Sequence, residues 1–266
     1  MTQRTIIVGD IHGCLEEFDE LLRTLSFEQE KDRLVLLGDL VDRGPDPVGV
    51  VRRARELQAE SVMGNHEEKH LRFRRHEAKK YANPNYKNPM KPFTNERLVE
   101  HQSYSAEDWA YMEAMPITLR VTPDWIVVHA GFEPAFPFDK QKTEKMLRVR
   151  YVDANGKMKA ISSDKDQPNG TAQWASVYAE PFHVAYGHMA LSMEKPVFTR
   201  HVEPQSFAAH CEGHIESTWF RGALDTACVF GGTLSALVLP FVGDPEAATV
   251  SVKAKATYAT VWAGDE

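Results

Sequence analysis

Within its first 188 residues the chain five times follows a short apolar run with a turn carrying aspartate, asparagine or histidine beside glycine. Ile6 to Val8 leads into Gly9-Asp10-Ile11-His12-Gly13, and Leu34 to Leu37 into Gly38-Asp39-Leu40-Val41-Asp42-Arg43-Gly44. Ser61 to Met63 leads into Gly64-Asn65-His66-Glu67, Trp125 to His129 into Ala130-Gly131, and Val184 to Tyr186 into Gly187-His188. Apolar runs of this length bounded by glycine read as strands. Between the first three, Leu15, Phe18, Leu21, Leu22 and Leu25 recur at helical spacing over residues 14 to 26, and a second helix opened by Pro47 reaches Leu57. A βαβαβ beginning builds a parallel sheet, and ligands of such sheets bind outside the carboxyl ends of the strands. The polar turns are therefore expected to converge on one crevice.

The donors so gathered are Asp10, His12, Asp39, Asn65, His129 and His188: carboxylate and amide oxygen with imidazole nitrogen, and no thiolate. Such a set suits manganese, iron or zinc; calcium prefers all-oxygen sites and iron–sulfur clusters need cysteine. Six donors exceed what one catalytic ion needs with open positions. With one bridging carboxylate they serve two ions about 3.5–4 Å apart, the spacing that clamps both attacking and leaving oxygens in phosphoryl displacement. The three cysteines, Cys14, Cys211 and Cys228, form no Cys-x-x-Cys pair, so a disulfide framework and a thiolate zinc site are not expected, and a cytoplasmic location fits.

Lysine and arginine number 31 against 38 acidic residues, a net charge of −7, which argues against a protein built mainly to coat nucleic acid or an anionic membrane. One stretch departs from that balance. From Lys69 to Lys91 there are eight basic residues against one acid, Glu77, a net of +7 in a chain otherwise at −14. Lys69, Arg72, Arg74, Arg75, Lys79 and Lys80 are candidates to meet a polyanionic substrate; the plainer reading is a solvated helix face within a basic insertion around residues 69–105. The long uncharged stretch Thr226 to Gly243 is split by Gly231-Gly232 and Pro240 and reads as a buried β-hairpin, so no membrane contact is expected.

Residues 66 to 115 hold helical segments, one capped by Ser105 with Glu107 and Asp108 in its first turn and stopped by Pro116. Beyond His129 the pattern predicts a helix over 140–150, a hairpin over Tyr151 to Ile161 turning at Asn155-Gly156, and a polar loop from Ser162 to Gly170. Strands are expected over Ala223 to Val229, Thr233 to Leu239, Thr249 to Ala254 and Tyr258 to Trp262. The fold class is α/β (α+β), two packed mixed β-sheets flanked by helices in a single domain over residues 1–266. His70, His76, His101, His183, His201, His210 and His214 follow no motif and read as surface or satisfied polar residues. His210-Cys211-Glu212-Gly213-His214 lacks a second cluster at zinc-site spacing, so a third metal is not expected there.

Taken in order, Gly-Asp-x-His-Gly, Gly-Asp-x-Val-Asp-Arg-Gly, Gly-Asn-His-Glu, His-x-Gly and Gly-His resemble the PPP phosphoprotein phosphatases among the calcineurin-like metallophosphoesterases. The likeness spans residues 9 to 188, and Gly222 to Pro240 is similar to bacterial members. The resemblance implies that Asp10 and His12 hold one divalent ion, Asn65, His129 and His188 the other, and that Asp39 bridges them. It implies His66 as general acid, Asp42 as the carboxylate orienting it, and Arg43 as a phosphate ligand, with direct attack by metal-bound hydroxide. A second substrate arginine is expected before the last histidine, and Arg148 and Arg150 are both candidates. His129-Ala130-Gly131 stands where eukaryotic members carry His-Gly-Gly, and no Ser-Ala-Pro-Asn-Tyr segment is present. The likeness therefore points to bacterial phosphatases, diadenosine tetraphosphatases and the phosphatase module of polynucleotide kinase-phosphatases. A manganese-dependent phosphoserine or phosphothreonine phosphatase is the leading expectation. The alternatives are symmetrical cleavage of diadenosine tetraphosphate to two ADP and removal of polynucleotide-end phosphates. A phosphate-binding pseudophosphatase would be marked by a lost ligand or acid, and all six ligands, Asp42 and His66 are in place.

Overall fold

Alternation along the first strand sets the layers. In β1 (Arg4–Val8), Ile6 and Val8 face one way and Ile7 the other, all fully buried, as a strand covered on both faces requires. The computed structural model describes residues 3–159, 167–202 and 218–260. After β1 come α1 (Leu15–Thr24), β2 (Asp32–Leu36), α2 (Pro47–Glu56), β3 (Glu60–Ser61), and the helices α3 (Asn65–Ala82), α4 (Asn95–Ser103) and α5 (Ala106–Glu113). Then follow β4 (Thr118–Arg120), β5 (Trp125–Val128), the single-turn α6 (Thr143–Met146), β6 (Tyr151–Val152), β7 (Ala172–Gln173), α7 (Trp174–Val177) and β8 (His183–Tyr186). β9 (Val197–Val202), β10 (Thr218–Ala223), β11 (Thr233–Leu239) and β12 (Thr249–Lys253) complete the order.

One sheet runs β12-β11-β1-β2-β3 and the other β4-β5-β8-β10-β9, with β6 and β7 pairing separately. β1, β2 and β3 are parallel, as are β5, β8 and β10, while β11, β12, β4 and β9 pair antiparallel with their neighbours. Ile7, Val35, Leu237, Val127 and Ala185 meet between the sheets. The opposite face of the first sheet, Ile6, Val8, Leu34 and Leu36, packs on α1 and α2 through Phe18, Leu21, Val50 and Val51. That of the second, Ile126, Val128, Val184 and Tyr186, packs on Phe132, Trp174 and Tyr178. The result is two mixed sheets flanked by helices, as the fold class predicts.

The expected cap at Ser105 forms and closes into a capping box, the Ser105 hydroxyl accepting from the Asp108 N–H while Asp108 accepts from the Ser105 N–H. Four expectations change. The helix over 140–150 shrinks to α6, because the Met146 carbonyl accepts the N–H groups of Ala130 and Gly131 and the Arg150 carbonyl that of Trp174. The strand placed at Ala223 to Val229 instead ends at Ala223 as β10. Beyond it Cys228–Phe230 is a short 3₁₀ turn, with Cys228 and Val229 buried by the packing on α1 and not by strand pairing. The stretch Thr226 to Gly243 thus carries one strand, β11, and not a hairpin, and no helix among the described residues is long and apolar enough to cross a membrane. Tyr258 to Thr260 is not a strand; the Tyr258 and Ala259 N–H groups bond to the Val229 carbonyl, and Trp262 lies outside the described residues. The edge strands β4 and β9 carry no sequence signal strong enough to predict them.

The Asn155-Gly156 turn forms, with Gly156 at φ +72° and the Asp153 N–H donating to the Lys157 carbonyl, although Ile161 and most of the loop after it are outside the described residues. The segment His210 to His214 is also outside them.

Candidate dimetal centre

Because Val8 pairs with Leu36, Leu36 with Ser61, and Val128 with Tyr186, the carboxyl ends of β1, β2, β3, β5 and β8 share one edge of the two layers. All six expected ligands emerge there and all are buried. His12, Asp39, Asp42, Arg43 and His188 have positive φ, from 44° to 71°, a region that ordinary side chains rarely adopt and that folds retain where a site demands it. Gly64 and Gly187 allow the turns to close: a Cβ on the first would overlap Asp39, and on the second Asp10.

Asp39 lies at the middle. Its Oδ2 is 3.4 Å from His12 Nε2, 3.4 Å from His129 Nε2 and 3.9 Å from His66 Nε2. His12, Asp39 and His66 form one cluster of ligand-competent atoms and Asp39, His129 and His188 another, so Asp39 is common to both. Asn65 Oδ1 is 2.8 Å from His129 Nε2. Asp10 accepts the His188 N–H through Oδ2 at 2.9 Å, while its Oδ1 and the His188 Nε2 are buried with no hydrogen-bond partner among the described residues.

The donor set fits a pair of divalent ions on three grounds. His12 and His129 each direct Nδ1 to a backbone carbonyl, of Val41 and of Leu37, both at 2.8 Å; a carbonyl only accepts, so Nδ1 carries the proton and Nε2 faces the centre. Burial first, then the Arg43 charge, pushes the His12 imidazolium well below its usual range, and burial with Arg150 does the same to His188. Both are therefore neutral, the form that binds metal. Burial, followed by repulsion from Asp225 and, further down, Asp39, lifts the Asp10 carboxyl well above the usual carboxylate range. Three carboxylates and two orphaned donor atoms in one buried space are an arrangement that cations stabilise.

His66 opens α3. Its Nδ1 is 2.5 Å from Asp42 Oδ2, and its ring stands edge-on to His12 with centroids 4.7 Å apart. Asp42 has further partners: Arg97 Nε donates to Oδ1 at 2.6 Å and His70 Nε2 lies at 3.1 Å from the same oxygen. Burial pushes the Asp42 carboxyl up, but the hydrogen bonds and charges of His66 and His70 outweigh it and hold it well below its usual range. Arg43 donates to His12 Nε2 at 2.8 Å. Arg150 is buried close enough for its charge to be felt at His188, whereas Arg148 turns to Glu68, with Nη2 to Oε2 at 2.8 Å. The structure thus separates the two arginines that sequence left equivalent.

Of the basic stretch, Arg74 bonds Glu113 and lies over Trp109, Lys79 lies 6.0 Å from the Tyr86 ring and Lys80 is exposed, while Lys69 is half-buried. Only Arg72 and Arg75 approach Glu68, each at 3.7 Å. The stretch is not wholly peripheral: Leu71 and Phe73 of α3 are buried, and Phe93 stacks on Phe73 to bring α4 and Arg97 against Asp42.

Four neighbours of the centre escape sequence reasoning. Glu67 accepts the N–H groups of Leu40 and Val41 on one oxygen and of Asp39 and Gly64 on the other, at 2.7–3.3 Å, tying the second turn to the third. Burial and then the Asp39 charge raise its carboxyl to about 7. Asp225 follows β10 as Asp10 follows β1, a position that a correct strand end would have revealed. His70 and Arg97 reach Asp42 from two helices and have no local signal; His70 is nonetheless the satisfied polar residue expected of it.

The calcineurin-like phosphoesterase family model matches residues 3–215. The chain belongs to the calcineurin-like phosphoesterase family. Among its relatives, the symmetrical bis(5'-nucleosyl)-tetraphosphatase of Edwardsiella ictaluri is 28% identical over 286 residues, covering 88% of this chain and 91% of that protein. Serine/threonine-protein phosphatase 1 of Salmonella typhimurium is 47% identical, but over 62 residues, covering 23% of this chain and 29% of that one. Among solved structures, one provisionally assigned as a diadenosine tetraphosphatase is 31% identical with a TM-score of 0.67, covering 95% of this chain and 94% of its own. This chain is therefore a calcineurin-like phosphoesterase whose likeness to proteins named as tetraphosphatases extends over most of its length.

Proposed function

We propose that this phosphoesterase hydrolyses dinucleoside tetraphosphates symmetrically, releasing two nucleoside diphosphates. The observation that carries the reading is the likeness over nearly the whole chain to proteins named as symmetrical tetraphosphatases, whereas the protein phosphatase relative matches only a short segment. The leading expectation from sequence, a phosphoserine or phosphothreonine substrate, accordingly gives way to its alternative.

Asp10, His12 and Asp39 would hold one ion and Asp39, Asn65, His129 and His188 the other, with manganese the favoured ion. The pair would supply Lewis-acid charge at the phosphoryl group and lower the pKa of an attacking water. The chain's own residues do the rest. His66 donates a proton from Nε2 to the leaving phosphate oxygen as the phosphorus–oxygen bond breaks, and Asp42 fixes the ring for that transfer through Nδ1. Burial pushes the His66 imidazolium down, which makes its proton easier to give up. Arg43, once released from His12, and Arg150 present planar forks to the non-bridging oxygens.

Metal-stripped protein assayed with diadenosine tetraphosphate, a phosphothreonine peptide and p-nitrophenyl phosphate, with manganese restored or withheld, tests this. Manganese-dependent production of ADP as sole nucleotide product supports the reading. AMP with ATP as products, or preference for the peptide, overturns it.

A further inference from the structure

A tetraphosphate cleaved at an inner phosphorus leaves phosphates and a nucleoside extending away from the centre, and α3 offers them a track. Asn65, Glu68, Arg72 and Arg75 follow i, i+3, i+7, i+10 spacing and so lie along one face of this helix. At 1.5 Å rise per residue, Arg72 and Arg75 are about 10 and 15 Å along the axis from Asn65. His66, His70 and Phe73 occupy the opposite face, toward Asp42 and α4.

Three guanidinium groups converge on the single carboxylate of Glu68: Arg148 at 2.8 Å, Arg72 at 3.7 Å and Arg75 at 3.7 Å. One acid among three bases leaves a local excess of positive charge. The Arg72 Nε is shielded from solvent and makes no hydrogen bond among the described residues, a buried donor in want of an acceptor. Arg148 reaches the cluster from the chain that two residues later supplies Arg150 to the centre, so the cluster adjoins the reacting phosphate. Arg74, Lys79 and Lys80 of the same basic stretch take no part.

We propose that Arg72, Arg75 and Arg148 form a subsite for a phosphate remote from the one cleaved, belonging to a nucleoside polyphosphate, with Glu68 occupying it when that phosphate is absent. The subsite rests on the tetraphosphatase reading for its substrate, but not for its detection. It selects substrates: a phosphate monoester ends at the centre and gains nothing from it, while a polyphosphate chain displaces Glu68 and takes its hydrogen bonds. Neutralising Glu68 should strengthen the subsite, the opposite of what a merely structural ion pair predicts.

Two variants, Arg72→Ala/Arg75→Ala and Glu68→Gln, decide the matter. The quantity read is the ratio of kcat/KM for diadenosine tetraphosphate to that for p-nitrophenyl phosphate, together with the ratio of ADP to orthophosphate inhibition constants. Losing two partly exposed guanidinium contacts should lower the substrate selectivity about tenfold, chiefly through KM, and weaken ADP inhibition relative to orthophosphate by a similar factor. Glu68→Gln should move both ratios the other way. Unchanged ratios in the arginine variant, with melting temperatures like the parent's, would overturn the subsite, as would parallel losses in both variants. If the parent protein fails to split the tetraphosphate, the functional reading falls, and the ADP-to-orthophosphate ratio still decides the subsite.

Discussion

Asp42 joins three donors that come from two helices, which makes it the most informative residue to change. In Asp42→Asn the Arg97 guanidinium, in a residue only 8% exposed, loses an anionic partner at 2.6 Å. Removing one member of a buried ion pair costs about 3–5 kcal/mol, and for a chain of this size that lowers Tm by roughly 6–20 °C. Arg97→Met removes the other member and leaves the carboxylate with His66 and His70. In the double variant no charge is left stranded, so its destabilisation should fall short of the sum of the single losses by about 1 kcal/mol or more. The kinetic consequence follows another bond, His66 Nδ1 to Asp42 Oδ2 at 2.5 Å. Asp42→Asn should lower turnover of phosphothreonine, whose strongly basic alkoxide must be protonated as it leaves, by about 10²–10⁴, the range of a positioned general acid, and turnover of p-nitrophenyl phosphate far less, since its leaving group needs little protonation. Arg97→Met, which keeps that bond, should keep most of the discrimination. Thermal melts of the four proteins and steady-state rates at saturating manganese measure both effects. Additive destabilisation would refute the ion-pair account, and equal rate losses on good and poor leaving groups would refute the role given to His66.

Two further outcomes are expected. Asp39→Asn, which alters the carboxylate common to both ligand clusters, should lower bound manganese measured by mass spectrometry from two ions to one or none and nearly abolish turnover; near-normal stoichiometry with substantial activity would exclude a bridging role. Burial works against the His129 imidazolium, but Asp39 and then Asp10 raise it to about 9, so below that pH a proton competes with the ion. Manganese affinity should rise up to about tenfold per pH unit toward 9 and level above it, with proton release seen by titration calorimetry in two buffers; affinity independent of pH between 6 and 9 would contradict this.

The six expected ligands, His66, Asp42 and Arg43 were legible because each sits in a turn fixed by its own neighbours. A short buried run ends, a glycine permits the turn, and a parallel sheet brings such ends to one edge wherever the strands pair. Strand and helix boundaries in the first half follow from the same local periodicity. The second half was less legible: α6 stops where the Met146 carbonyl is taken by the Ala130 and Gly131 N–H groups, and Cys228 and Val229 are buried without being a strand. Apolar content reports burial there, and burial has more than one cause.

Sequence by itself therefore determined which donor side chains meet at one buried edge, because donor type and turn geometry are properties of a few adjacent residues. Tertiary structure decided what surrounds it. Whether Arg148 or Arg150 faces the centre, that Arg97 and His70 both reach Asp42, that Asp225 adds charge beside Asp10, and that Arg72 and Arg75 turn toward Glu68 while Arg74 turns away all depend on which helix face packs where. Those contacts join residues tens to hundreds of positions apart, and they are set by core packing, which no local pattern encodes.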